Sequence, residues 1–89
     1  SIVIYQKEKY RTLTGLVVDS NTEQYVSDAV LYGNQSGYAI SDEDGFFKLV
    51  LTHYVDTILV SRVGFETEKV AVSSFSQHAV HIIKLKENE

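Results

Sequence analysis

Cysteine is absent from the 89 residues, so neither disulfide staples nor thiolate metal sites are available to this chain. That absence leaves the compartment open. No stretch approaches the ~18 consecutive apolar residues of a membrane-spanning helix, and direct insertion into a bilayer is not expected. The first residues lack the pattern of a secretory signal, so export of this protein would require a signal upstream. Basic charge is also sparse: eight Lys and Arg stand against twelve Asp and Glu, for a net charge of −4. The cations Lys7, Lys9, Arg11, Lys48, Arg62, Lys69, Lys84 and Lys86 are scattered. Nucleic-acid binding needs a concentrated basic face that neutralises phosphates, so no nucleic-acid partner is expected.

What the chain does have is enough apolar material for one small core. Hydrophobic residues make up 44% of it, including six Tyr and four Phe, and its length allows a single domain. A domain this small buries only ~60% of the surface its unfolded chain exposes, so its core must be efficient. The apolar residues alternate with a period of two. Leu13, Gly15 and Val17 alternate with Thr14, Leu16 and Val18, and Ala29, Leu31 and Gly33 with Val30 and Tyr32. Phe47, Leu49 and Leu51 alternate with Phe46, Lys48 and Val50, while Ile58 and Val60 flank Leu59. Val70 and Val72 flank Ala71, and Ile83 and Leu85 flank Lys84. Short alternating runs rich in β-branched and aromatic residues predict strands, and no dozen residues carry a helical stripe. Phe47 and Leu49 are expected in the core with Val17, Leu31, Ile58 and Val60.

The breaks between runs have turn chemistry. Asp19-Ser20-Asn21-Thr22 is a polar loop, and Gly33-Asn34-Gln35-Ser36-Gly37 has residues suited to positive φ. Asp42-Glu43-Asp44-Gly45 predicts a tight turn with Gly45 in the left-handed region. Residues 52–56 and 62–66 provide further corners. Six or seven short strands at this spacing predict an all-β sandwich or small barrel.

Few side chains offer chemistry. His78 and His81 are three apart, which puts them on opposite faces of a strand, and His53 belongs to another loop. With no Cys or suitably spaced carboxylate to complete a zinc site, they are expected at the surface. The acidic turn 42–45 invites a calcium reading, but a calcium hand needs a bidentate Glu at its twelfth position, where this chain has His53. Ser73, Ser74 and Ser76 lie near His78 without a nucleophile elbow or an orienting third group. No catalytic residue, metal or cofactor is assigned, and the chain is not expected to be an enzyme.

The order of the motifs resembles a known family. Leu13-Thr14-Gly15-Leu16-Val17-Val18-Asp19 is followed by Val26-Ser27-Asp28-Ala29-Val30-Leu31. Then come Ser41-Asp42-Glu43-Asp44-Gly45-Phe46-Phe47 and Val60-Ser61-Arg62-Val63-Gly64-Phe65. Over residues 12–85 this is similar to the carboxypeptidase-regulatory-like domain, a module common at the N-terminal side of TonB-dependent outer-membrane receptors. The resemblance implies a transthyretin-like, Ig-like Greek-key β-sandwich of about seven strands. Its motif residues here are Gly15, Asp42, Asp44, Gly45, Phe47, Gly64 and Phe65. It implies a non-catalytic spacer or docking domain of a Gram-negative receptor for glycan or nutrient uptake. Such a domain lies in the periplasm at the outer membrane, and its partners are proteins or neighbouring domains of the same receptor. The chain departs from the pattern in three ways. Glu23-Gln24-Tyr25-Val26 stands where Gly-Glu-Pro-Leu is usual, Asp28 stands where Gly is usual, and there is no Pro.

The module is taken as residues 11–89. Residues 1–10 read as a strand, Ser1-Ile2-Val3-Ile4-Tyr5, and a charged linker. They resemble the closing strand of a secretin-and-TonB N-terminal domain, or else form an extra edge strand. Two rival functions have sequence tests. A carbohydrate-binding sandwich needs an exposed aromatic platform, for which Tyr25, Tyr32, Tyr38 and Tyr54 are candidates, although tyrosines of a small sandwich are expected half-buried. An isopeptide-linked adhesin repeat needs Asn on the last strand, and residues 80–85 contain none.

Overall fold

The structure is a computed structural model and describes residues 10–89. There are seven strands, six of them on the predicted runs and β3 in addition: β1 Arg11–Asp19, β2 Val30–Tyr32, β3 Tyr38–Ile40, β4 Phe46–Leu51, β5 Thr57–Ser61, β6 Glu68–Ala71 and β7 His81–Leu85. They form two sheets, ordered β4-β1-β7 and β3-β2-β5-β6. The protein is an all-β sandwich. Its central strand β1 pairs antiparallel with β4 and parallel with β7.

Alternation decides which side chains meet between the sheets. Leu13, Val17, Phe47, Leu49, Leu51, Ile83 and Leu85 fill the inner face of the three-stranded sheet. Leu31, Ile58 and Val60 oppose them from the other, and every core residue expected from the pattern is buried. The strand ends differ from the apolar runs by a residue or two, where ladders fray. Tyr10 extends the β1 ladder, its N–H donating to the carbonyl of Leu51 at 2.7 Å. Residues 1–9, which include the whole of the proposed Ser1–Tyr5 strand, lie outside the described residues.

The turn between β3 and β4 is built by local chemistry. The Oδ1 of Asp42 accepts from the backbone N–H groups of Asp44 and Phe46, both at 2.9 Å. Gly45 has φ +74°, and a Cβ there would lie 2.6 Å from the carbonyl oxygen of Val17. Gly45→Ala is therefore expected to cost about 1 kcal/mol or more, from left-handed strain and this contact together. Equal urea midpoints for variant and parent would overturn that account.

The connection from β1 to β2 holds two left-handed residues without glycine's freedom. Glu23 has φ +63° and Asp28 φ +62°. The Glu23 N–H closes a turn onto the Asp19 carbonyl at 2.8 Å, while Asp19 Oδ1 accepts from Asn21 and Thr22. A left-handed non-glycine residue costs ~1–2 kcal/mol, and glycine's extra unfolded-state entropy offsets part of any gain from removing it. Glu23→Gly should then stabilise the fold by about 0.5–1 kcal/mol. Asp tolerates this region better, so Asp28→Gly should gain less. Denaturant midpoints test both, and a loss of stability in Glu23→Gly would reject the strain.

Candidate functional site

The residues singled out for chemistry mostly serve the frame. Asp42 braces its turn through two amides, and Glu43 and Asp44 are exposed beside it. Among the described residues no group of three or more His, Asp or Glu side chains is placed to hold a metal ion. Ser76 Oγ accepts from the backbone N–H of His78, and Ser74 Oγ donates to the carbonyl of Ala71. Those hydroxyls are engaged with backbone, with no imidazole activating either. His53 is exposed, its Nδ1 3.2 Å from the Thr52 hydroxyl. His81 corrects the surface expectation. It begins the inward-facing set of β7 and stacks on Phe75, with ring centroids 4.2 Å apart. Phe75 also meets Phe47 edge-on at 6.2 Å, so three rings share one end of the core.

Several polar residues that pattern reading passed over prove structural. Ser41 is buried; its hydroxyl donates to Val26 and accepts from Ala29, pinning the β1–β2 connection to the turn. Ser36 does the same between the β2–β3 connection and residues 52–53. Arg62 Nε donates to the Ser27 carbonyl at 2.6 Å and ties down the corner that contains Gly64. That corner closes by the Phe65 N–H donating to the Arg62 carbonyl, with Gly64 at φ +92°, and Phe65 packs against the core. A serine or arginine flanking a turn signals such a role only once its partner across the sheet is known.

The outer face of the four-stranded sheet is different. Register sets Tyr38, Tyr32, Leu59 and Lys69 in one row and Ile40, Val30 and Ser61 in the next. Tyr38 is 68% exposed, Ile40 53%, Tyr32 47%, Leu59 41% and Val30 37%. A solvated sheet face normally alternates to polar residues. Here β2, β3 and the middle of β5 are apolar at consecutive positions, so both faces of this sheet are apolar there. The expectation of half-buried tyrosines is overturned, because every described tyrosine is exposed. Sandwich walls this thin take their core from Leu, Val, Ile and Phe, and the phenols stay in water.

Two of the four platform candidates are neighbours. Tyr32 and Tyr38 are cross-strand partners. Beside Tyr32, a shallow concavity of about 430 Å³ is lined by Asn34, Val55, Asp56, Thr57, Leu59 and Lys69. Tyr54 donates its hydroxyl to Asp56, and that hydrogen bond, with the carboxylate's charge, holds the phenol above its ordinary pKa. Tyr10 packs edge-on against Tyr54 at 6.0 Å. Tyr25 stands apart, bridged to Val18 beside the Gly45 turn.

No protein-family model matches the chain, and no curated protein matches it. Function is therefore read from the side chains. No helix among the described residues is long and apolar enough to cross a membrane.

At the opposite end of β1, the carboxyl of Glu87 hydrogen-bonds that of Asp19. Asp19 is held below the ordinary carboxylate range by this bond and by the amides of Asn21 and Thr22. Glu87 is raised, by the same hydrogen bond and by the charge of Asp19. The two shifts act in opposite directions on stability. Glu87, raised in the fold, contributes when protonated, and its contribution is lost as pH rises through its folded pKa. Asp19, depressed in the fold, contributes above its unfolded pKa, and its contribution is lost as pH falls through its folded pKa. Glu87→Gln keeps a donor for Asp19 and removes the repulsion. It should raise the melting temperature at pH 7 and remove the contribution that the parent gains as pH falls through the folded pKa of Glu87 toward its ordinary value. Parallel melting curves for parent and variant across that window would reject the coupling.

Proposed function

We propose that this chain is a non-catalytic accessory β-sandwich of a TonB-dependent receptor or related cell-envelope protein. In this reading it works in the periplasm of a Gram-negative bacterium as a folded spacer or protein-docking domain in nutrient uptake. The observation that carries the reading is a backbone one. Glu23, Asp28, Gly45 and Gly64 all have positive φ, and all four stand where the carboxypeptidase-regulatory-like pattern has glycine. Positive φ is uncommon for residues other than glycine. At two of these positions, Glu23 and Asp28, another residue holds the conformation that glycine suits. The buried Ser41 and the Asp42 turn add support, since they hold that connection against the motif's most specific segment. The exposed row of Ile40 and Val30 on the four-stranded sheet supplies a surface on which a neighbouring domain can dock.

An antibody raised to this chain, applied to fractionated cells of its native host, tests the reading. The expected result is a much larger protein in the outer-membrane fraction, with a plug and a long alternating barrel encoded downstream. Recovery in the cytosolic fraction would overturn it.

A further inference from the structure

We propose that the concavity beside Tyr32 binds one ring of a neutral hexopyranose oligosaccharide, with Tyr38 providing a second stacking surface for the adjoining ring. A pyranose has two kinds of surface. Its ring C–H groups form apolar faces, and its rim is a belt of hydroxyls that both donate and accept. A site for it therefore needs an exposed aromatic plane next to convergent polar side chains. Tyr32 and Leu59 are the apolar floor, and Asn34, Asp56, Thr57 and Lys69 surround them. The volume of about 430 Å³ falls within the ~300–1,000 Å³ of small-ligand sites.

The polar groups are matched to hydroxyls. Asn34 carries a donor and an acceptor side by side, and a carboxylate accepts from several hydroxyls at once. Asp56 is fixed from two directions: Tyr54 donates to its Oδ1, and its backbone carbonyl accepts from Val72 at 2.8 Å. The carboxylate retains acceptor sites beyond the one Tyr54 occupies, and a held side chain loses less entropy on binding. Asp56 and Lys69 contribute one charge of each sign, which favours a neutral sugar over a uronate or a phosphorylated one. The polar walls also favour a sugar over a protein partner at this spot, because the fully buried centre of a protein interface is depleted of charged residues. The site holds whichever envelope protein the chain belongs to.

The test titrates the 89-residue chain with neutral hexaoses of glucose, mannose and galactose in several linkages, and with a galacturonan hexaose. Amide NMR shifts and calorimetry are the readouts. At least one neutral hexaose should shift the amides of Tyr32, Asn34, Asp56, Thr57 and Lys69 in a saturable way, and the galacturonan should bind more weakly. Tyr32→Ala should weaken binding about tenfold and Tyr32→Phe no more than about twofold, as expected for a stacking contact. Asp56→Ala should also weaken it, and Tyr25→Ala, outside the site, should not. Melting curves verify that each variant is folded, and should Tyr32→Ala not fold, Asp56→Ala and Tyr32→Phe carry the test. No saturable shift at about 10 mM sugar would overturn the proposal, as would binding unchanged in Asp56→Ala or the folded Tyr32→Ala. Concentration-dependent broadening of the same amides without sugar would instead assign the face to self-association and overturn it too.

Discussion

Phe47→Ala is expected to remove about 3–5 kcal/mol of unfolding free energy. Phe47 is 1% exposed and sits on the inner face of β4, where its ring meets Phe75 edge-on and covers Gly15. Truncation loses the transfer energy of the ring and leaves a cavity between two sheets held apart by their other side chains. Domains have only ~5–15 kcal/mol in total, so the loss is a large part of the stability. Urea titration followed by circular dichroism measures the loss. The denaturant slope should match the parent's, because the same surface is exposed on unfolding. A loss below about 1 kcal/mol would mean that the aromatic cluster is not part of the stabilising core.

Gly15→Ala should be comparably damaging from the opposite cause, and a cost of about 2–3 kcal/mol or more is expected. Gly15 lies across from Phe47 on one side and His81 on the other. A Cβ there would run into the backbone carbonyl of His81 and lie 2.9 Å from Cζ of Phe47. The ring can shift a little, but the carbonyl belongs to β7, the parallel edge strand, which must move away from β1. Hydrogen exchange should therefore show the amides of β7 losing protection before those of β4. Combining Gly15→Ala with Phe47→Leu separates the two clashes. Relief of the ring contact would make the pair less damaging than the sum by at least about 0.5 kcal/mol. Strict additivity would put the whole cost on the His81 carbonyl, and a Gly15→Ala protein as stable as its parent would remove the close approach altogether.

Part of this architecture was legible in the residues. The burial of Val17, Leu31, Phe47, Leu49, Ile58 and Val60 follows from a period of two, because successive strand side chains point to opposite faces whatever the neighbouring strand is. The turn at 42–45 was equally accessible. An Asp that can accept from amides two and four residues on, followed by Gly, specifies its own conformation within five residues. Both are local consequences of backbone sterics and short-range hydrogen bonding.

The tertiary structure decided the rest. Nothing in residues 81–85 announces a parallel partner in β1; alternation with Ile83 and Leu85 puts His81 on the inner face, and only the tertiary structure brings Phe75 against it. Glu23 and Asp28 carry no sign of left-handed backbone; the hydrogen bonds of the β1–β2 connection to Asp19 and Ser41 impose it. Alternation with Leu31 already puts Tyr32 outward, but only the pairing of β2 with β3 sets Tyr38 beside it on that face. Asp56 reaches the same surface from a loop more than twenty residues along the chain. By itself, the sequence determined where strands and turns form and which of their core side chains face inward, since those depend on neighbours along the chain. Strand order, and with it the concavity beside Tyr32, depends on contacts closed over long loops, for which no local residue pattern carries a signal.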